Sequence, residues 1–275
     1  MRLIVISLLA MFLAVSPALA NPQEDFYKGL AAHDADNYKQ AVKLFRQAAE
    51  QGDAWAQAML GAMYFSGQGV VQDYKQAVEL YRQAAEQGHA GAQYNLGAMY
   101  FNGQGVAKDY KQAVKWYRQA AEQGVANAQF SLGFMYAKGQ GVAKDYKQAA
   151  KWYRQAAEQG FAWAQYNLGA MYYNGQGVIK NYKTAIKWYR QAAEQGHAEA
   201  QGYLGVMYGL GQGVVKNTRM EYMFYLLALA NIEDESEREE IQEIVTAVES
   251  ILTPAQKQSA QNDAAEYQKK IDARQ

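Results

Sequence analysis

Residues 92–124 read AQYNLGAMYFNGQGVAKDYKQAVKWYRQAAEQG, and the chain repeats this stretch at a fixed distance. The tyrosine that opens its second half recurs every 36 residues, at Tyr38, Tyr74, Tyr110, Tyr146 and Tyr182. Self-similarity at this period is typical of a solenoid, in which each repeat packs only on its neighbours. The full repeats run 53–88, 89–124, 125–160 and 161–196; a fifth begins at His197 and decays after Asn217, and a shorter repeat, 22–52, precedes them all.

Each repeat contains two helical segments separated by glycines. In the repeat 89–124, the segment from Ala90 to Phe101 carries apolar residues at helical spacing. Gly103 and Gly105 end it, because glycine readily adopts the left-handed backbone of a helix C-cap. Asp109 follows as an N-cap for a second helix from Tyr110 to Gln123, which has one apolar face and one charged face. The pattern predicts an all-α solenoid, and no segment reads as a strand.

The repeat pattern stops near the C-terminus, where residues 233–275 are predicted to form capping helices. Ser236 and Glu239 have the spacing of a capping box for the first of them. Thr253, Pro254 and Gln256 open the last helix in the same manner. The apolar stripe of the first capping helix is formed by Ile241, Ile244, Val245 and Val248. We expect the two helices, which end near Ile271, to cover the apolar end of the stack.

The first twenty residues have the layout of a secretory signal peptide. Arg2 precedes an apolar run from Leu3 to Val15, and Ala18-Leu19-Ala20 supplies small residues for cleavage after Ala20. An uncleaved membrane anchor is the alternative, but the apolar run is shorter than the ~20 residues that a spanning helix needs. The chain has no second long apolar stretch, so we expect no transmembrane segment after cleavage. The predicted location is the bacterial periplasm or the exterior of the cell.

Composition argues against several functional classes. The 27 basic residues balance 27 acidic ones, whereas a nucleic-acid binder needs a basic face. There is no cysteine, and His89 and His197 lie three repeats apart at equivalent loop positions, where we expect them to be solvated. No serine precedes a lysine by three residues, so the signature of serine β-lactamases is missing. We therefore predict no catalytic site, no metal site and no cofactor.

The stretch from Ala92 to Gly124 closely resembles the Sel1-like repeat, a relative of the tetratricopeptide repeat, and the resemblance covers residues 53–217. The N-terminal repeat departs from it, because Gly29 precedes Ala41 by twelve residues where the other repeats have sixteen. Residues 21–52 therefore look like a tetratricopeptide unit, followed by Sel1-like repeats over 53–232. The resemblance implies a right-handed superhelix whose first helices line a concave groove, and it implies function by binding protein or peptide.

Differences between the repeats concentrate on one face of the first helices, with varied positions three and four residues apart. In the family this face lines the groove, and we call it the varied face. It supplies the predicted peptide-binding residues Tyr94, Asn95, Phe101, Asn102, Asn127, Phe130, Phe134, Trp163, Tyr166, Asn167, Tyr173 and Asn174. Aromatic rings offer contact area, and asparagines can pair with the backbone of an extended ligand. Alternatively, aromatic residues at helical spacing belong to a core, and for Phe130 and Phe134 that reading stays open.

The predicted function is a non-enzymatic scaffold or adaptor in the bacterial envelope that binds a protein or peptide. One alternative is a secreted factor that binds host proteins. Another is a cell-wall or β-lactam-related activity by family analogy, since some similar but cysteine-rich proteins are linked to penicillin-type compounds. An acidic stretch after the repeats is either the solvated end of a capping helix or a docking patch for a basic partner; it comprises Glu233, Asp234, Glu235, Glu237, Glu239 and Glu240.

Overall fold

The computed structural model describes residues 21–274, and all regular secondary structure in this part of the chain is helical. The all-α prediction is thereby confirmed for these residues. The chain divides into an N-terminal unit that ends at Asp109 and a C-terminal unit that begins at Tyr110. The predicted signal peptide, residues 1–20, lies outside the described residues. None of the helices between residues 21 and 274 combines the length and apolar character that a membrane span requires.

The N-terminal unit is a stack of five helices. They are α1 (Pro22–Asp34), α2 (Tyr38–Glu50), α3 (Ala54–Ser66), α4 (Tyr74–Glu86) and α5 (Ala90–Asn102). Three residues, 35–37, join α1 to α2, whereas seven residues, 67–73, join α3 to α4. Asp36 makes the shorter turn with a left-handed backbone, at a φ of 55°. The difference in sequence spacing at the N-terminal repeat is therefore a shorter turn between helices of ordinary length.

The C-terminal unit contains nine helices among its described residues. They are α6 (Tyr110–Glu122), α7 (Ala126–Lys138), α8 (Tyr146–Glu158), α9 (Ala162–Asn174), α10 (Tyr182–Ala193), α11 (Ala198–Leu210), α12 (Thr218–Asn231), α13 (Glu235–Ser250) and α14 (Pro254–Asp272). The first helix of each repeat packs on the second helix of the same repeat, as α9 does on α10, and each second helix packs on the next first helix. This is the arrangement of an α-solenoid.

The glycine loops cap helices and bring consecutive repeats into contact. Gly139 ends α7 at a φ of 69° and donates its N–H to the carbonyl of Met135. Two residues later, Gly141 lies against the backbone of Tyr110, so closely that a Cβ atom would collide with the carbonyl group. Gly177 lies against Tyr146 in the same way. Gly141 and Gly177 therefore allow consecutive repeats to pack closely, because only a residue without a side chain fits against the backbone of the preceding repeat.

The capping helices cover the last repeat, as predicted. Val245, Val248 and Leu252 are buried in one core with Tyr222 and Phe224 of α12. The predicted capping box at the start of α14 is confirmed. The side chain of Thr253 accepts from the backbone N–H of Gln256, and the side-chain oxygen of Gln256 accepts from the backbone N–H of Thr253. The predicted stripe is only partly buried, because Ile244 keeps 39% of its surface exposed.

The predicted capping box of Ser236 and Glu239 is wrong. Asp234 is the N-cap of α13, and its carboxylate accepts from the backbone N–H groups of Ser236 and Glu237. The hydroxyl of Ser236 also donates to that carboxylate, at 2.6 Å. A charged acceptor binds backbone N–H groups more strongly than a hydroxyl does, so the helix starts one residue before Ser236.

Candidate functional site

A buried glutamine in each first helix from α3 to α11 links the repeats. The side-chain N–H of Gln165 donates to the carbonyl of Ala157 at 3.1 Å, and its oxygen accepts from Gln195 at 2.8 Å. Equivalent bonds join Gln129 to Ala121 and Gln159, and Gln57 to Ala49 and Gln87. The polar atoms of this repeated glutamine are used inside the stack, so it serves the scaffold and not a ligand.

The repeated arginines of the second helices are also engaged within the stack. Arg154 donates to the hydroxyl of Tyr172 in the following first helix at 2.7 Å, and Arg118 donates to Tyr136 at 2.9 Å. The N-terminal unit repeats the bond between Arg82 and Tyr100, at 3.1 Å. A surface whose guanidinium groups already bind neighbouring hydroxyls stabilises the packing of helices, which explains why the sequence repeats it.

In the N-terminal unit, the predicted site residues lie on the side of α5 that is partly open to solvent. Tyr94, Asn95 and Phe101 are half-buried and Asn102 is exposed. Asn95 is hydrogen-bonded to Tyr81 of α4. Burial raises the pKa of Tyr81 to about 12, and the hydrogen bond with Asn95 lowers that pKa in part. Part of the hydrogen-bonding capacity of Asn95 is therefore used within the protein.

In the C-terminal unit, predicted site residues of α9 form an aromatic cluster with α11. The rings of Tyr166 and Tyr173 lie 5.9 and 5.8 Å from the ring of Tyr203. Beneath them, Tyr189 stacks on Tyr203 at 5.2 Å, and its buried hydroxyl has no hydrogen-bond partner among the described residues. Tyr203 belongs to this cluster although it is not among the predicted site residues. Its place at a varied position, equivalent to Asn95 and Asn167, was the signal that could have identified it.

The cluster continues to a buried histidine at the start of α11. His197 stacks on Tyr166 with ring centroids 4.7 Å apart and meets the edge of Trp163 at 4.4 Å. The expectation that this loop histidine is solvated is wrong, because only 8% of its surface is exposed. Its Nδ1 lies 3.1 Å from a carboxylate oxygen of Glu199. The proximity of His197 lowers the pKa of Glu199, while partial burial opposes the shift.

The two phenylalanines of α7 have different surroundings. Phe130 packs against Tyr153 at 5.6 Å and against Phe161 at 5.2 Å, so much of its ring serves the helix packing. Phe134 packs against the same core and also lines a cavity of about 410 Å³ together with Tyr153 and Asn167. Lys138 and Lys144 supply positive charge at the same cavity. Both phenylalanines therefore contribute to the packing of the repeats, and Phe134 in addition borders a cavity.

The asparagines of the C-terminal unit are distributed along the helices. Asn167 donates to the carbonyl of Trp163 at 2.8 Å, so part of its amide is used within α9. Asn127 and Asn174 are exposed near opposite ends of α7 and α9. None of the twelve predicted residues is fully buried. The structure brings Trp163, Tyr166 and Tyr173 into one cluster and places Phe134 beside Asn167, whereas it leaves Asn127 and Asn174 apart from both groups.

Comparisons with known proteins identify the repeat. The model of the family described as Sel1 repeat matches residues 26–53, 56–89, 90–125, 126–161, 164–197 and 198–230. The first of these segments is the N-terminal repeat with the short turn, which the sequence alone likened to a tetratricopeptide unit. A comparison with curated proteins found no match.

Two crystal structures have the same architecture. A protective antigen present in uropathogenic Escherichia coli strains, described as displaying an SLR fold, is 36% identical with a TM-score of 0.79; the match covers 92% of this chain and 54% of that one. This chain thus spans about half the length of that relative. A Sel1 repeat protein from Oxalobacter formigenes is 32% identical with a TM-score of 0.73, over 87% of this chain and 96% of that one.

The matched segments follow the helix pairs. The buried glutamine and tyrosine recur in the five segments from residue 56 onward, whereas the first segment has Phe45 at the tyrosine position. The chain belongs to the Sel1 repeat family, whose α-solenoids are typically scaffolds for protein–protein interaction.

Proposed function

We propose that this protein is a non-enzymatic scaffold of the bacterial envelope that binds a peptide segment of a partner protein on the varied face of α7, α9 and α11. One observation carries the proposal. Trp163, Tyr166 and Tyr173 lie along one side of α9, form a cluster with α11, and keep part of their ring surface in solvent. Large aromatic side chains that remain accessible are the residues that dominate the energy of protein interfaces.

The contrast between the two kinds of helix supports this assignment. On the second helices, arginines such as Arg154 are bound to tyrosines of the stack. On the varied face, the cavity beside Phe134 and Asn167 combines an apolar wall with the ammonium groups of Lys138 and Lys144. Such a mixture of apolar surface and a few polar groups is suited to an extended peptide, whose backbone needs partners and whose side chains need contact area.

The envelope location rests on the layout of residues 1–20, with a basic residue, an apolar run and Ala18-Leu19-Ala20. A second candidate is a secreted factor that binds host proteins. It is favoured by the similarity to the protective antigen of uropathogenic Escherichia coli strains, because an antigen is a protein that the host encounters. Both candidates use the same binding face, and they differ in where the partner resides.

Site-specific photo-crosslinking tests the binding face in cells. We would replace Tyr173 by a photoreactive benzoyl-phenylalanine and, in a matched control, place the same residue at Lys187, which is exposed on α10. We expect irradiation to yield discrete adducts at position 173 that mass spectrometry identifies, and none at position 187. Adducts confined to position 187 would place the partner on the second helices and contradict the proposal.

A further inference from the structure

A second cavity lies where α9 and α11 begin and α12 ends. Its volume is about 440 Å³, and Trp163 and His197 contribute aromatic surface to its wall. Four carboxylates also line it, those of Glu199, Glu233, Asp234 and Glu237. Among the described residues that line it, none is a lysine or an arginine. The cavity therefore combines an aromatic wall with negative charge that no lining cation balances.

His197 supplies an independent sign that this cavity receives a ligand. Its side chain is 3% exposed, and Nδ1 lies 3.1 Å from Glu199 Oε2. Nδ1 and Nε2 of His197 are both buried. Neither ring nitrogen has a hydrogen-bond partner among the described residues. Buried polar atoms in proteins are normally paired, so two unpaired nitrogens in the wall of a cavity are consistent with a missing polar ligand.

The nearby arginine does not fill this role. Arg238 follows in α13, but its guanidinium donates to the carbonyls of Leu229 and Ile232 and closes the turn between α12 and α13. Asp234 is likewise occupied as the N-cap of α13. The carboxylates of Glu199 and Glu237 lie in the first turns of α11 and α13, where the helix dipole favours negative charge without a counter-ion. They remain available to a cation from outside.

We propose that this cavity binds the guanidinium group of an arginine side chain of the partner protein. A guanidinium is planar and stacks on an indole such as that of Trp163. Its five N–H donors form a fork that can reach two carboxylates, here those of Glu199 and Glu237. The ammonium group of a lysine has the same charge, but it is not planar and cannot donate to two carboxylates in the paired geometry of a guanidinium. This inference rests on the proposed function, because Trp163 belongs to both sites.

The N-terminal unit contains an internal control. Trp55 and His89 occupy the positions equivalent to Trp163 and His197, and their rings meet edge to face at 4.3 Å. Gly91 stands where the later repeat has Glu199. In addition, the Nδ1 of His89 accepts from the backbone N–H of Ala92, so this histidine is oriented as a helix cap. The aromatic pair is thus present twice, but its carboxylate partner from the first helix only once.

Nuclear magnetic resonance can test the cavity without knowledge of the partner. The probe is acetyl-arginine methylamide, titrated into the full protein while the indole N–H signals of the tryptophans are observed. Acetyl-citrulline methylamide, which has the same shape without the charge, and acetyl-lysine methylamide serve as comparison compounds. The signals of Trp163 and Trp55 are assigned from the variants Trp163→Phe and Trp55→Phe. Glu199→Gln and Glu237→Gln remove one charge each, and Glu158→Gln does so at an exposed site on α8.

We expect the arginine compound to shift the Trp163 signal in a saturable manner and to leave the Trp55 signal in place. Glu199→Gln and Glu237→Gln should each weaken the binding about ten-fold, the effect of one lost charged hydrogen bond, and Glu158→Gln should not. Equal shifts with the citrulline or lysine compound, or none with the arginine compound, would overturn the assignment. Crosslinks at position 173 together with no shift of the Trp163 signal by the arginine compound would refute this cavity as a subsite but not the wider binding face. A shift of the Trp163 signal together with no crosslinks at position 173 would refute the wider binding face but not the cavity.

Discussion

The ring of Tyr189 lies directly against Gly169, so that a Cβ atom at position 169 would come within 2.8 Å of the ring carbon Cδ1. Tyr153 and Gly133 repeat this contact one repeat earlier. The absent side chain on the first helix lets the tyrosine of the second helix reach beneath the varied face. One glycine–tyrosine contact thus determines both how closely two helices approach and what forms the floor of the candidate binding face.

This contact predicts that Gly169→Ala destabilises the protein. We expect a loss of about 1–3 kcal/mol, because the added methyl group must push back a fully buried ring. Urea denaturation measures the change. Gly202→Ala is the matched control, since it is also within a helix but a Cβ atom there meets nothing within 4 Å. The control should gain about 0.5–1 kcal/mol from helix propensity. Equal stability of the two variants would show that the close contact is unimportant.

The buried glutamines predict a second stability effect. Gln165→Ala removes one donor to the Ala157 carbonyl and one acceptor of the Gln195 amide, which still donates to the carbonyl of Gln191. We expect it to cost about 0.5–1.5 kcal/mol for each lost hydrogen bond, because the backbone N–H of Gly160 still donates to the Ala157 carbonyl. Thermal unfolding compared with Gln119→Ala, an exposed glutamine on α6, measures this cost. A similar unfolding temperature for both variants would argue that the glutamine bonds are incidental to the stack.

The binding face predicts which substitutions weaken a partner identified by crosslinking. Trp163→Ala and Tyr173→Ala should each reduce the affinity by about 2 kcal/mol, as truncated aromatic anchors do. Lys187→Ala should have little effect, because an exposed charge contributes about 0–1 kcal/mol. A repeated arginine such as Arg118 would not serve as a control, because it donates to the hydroxyl of Tyr136 and its loss would also affect stability. Calorimetry measures the affinities, and unfolding curves must match the parent. Unchanged affinity in both aromatic variants would exclude α9 as the contact surface.

Glu199 predicts a small dependence of stability on pH. The neighbouring His197 lowers its pKa from the ordinary value of 4.5. A carboxylate with a lowered pKa stabilises the fold above its unfolded pKa, and this contribution is lost as the pH falls through the folded value. Glu199→Gln should therefore reduce the unfolding temperature at pH 7 and have no effect once the carboxylate is protonated in acid. A difference that is the same at both pH values would contradict this.

The signal layout predicts the N-terminus of the exported protein. Expressed from Met1 in a bacterial host, the protein should be recovered from the periplasmic fraction with Asn21 as its first residue. Intact-mass measurement of the fractionated protein checks this, and a variant that lacks residues 1–20 should stay in the cytoplasm. Recovery of a chain that retains Met1 in the membrane pellet would instead support an uncleaved anchor.

Much of the fold follows from the sequence because its causes are local. The period of 36, the apolar spacing and the glycines at 103, 105, 139 and 141 predict where helices begin and end, since a residue's own backbone preferences act within one or two turns. The varied face is predictable for a related reason. Residues three and four apart share one side of a helix, whatever that helix packs against.

The surroundings of individual side chains depend on contacts between helices, and only the tertiary structure decided them. His197 is buried because Trp163 and Tyr166, from the preceding first helix, pack on its ring. Phe130 contacts Phe161 while Phe134, one helical turn later, opens onto a cavity. A sequence read along one helix cannot show which ring a neighbouring helix brings to it. The repeat thus determined the scaffold by itself, while the packing between repeats decided which varied residues became a surface.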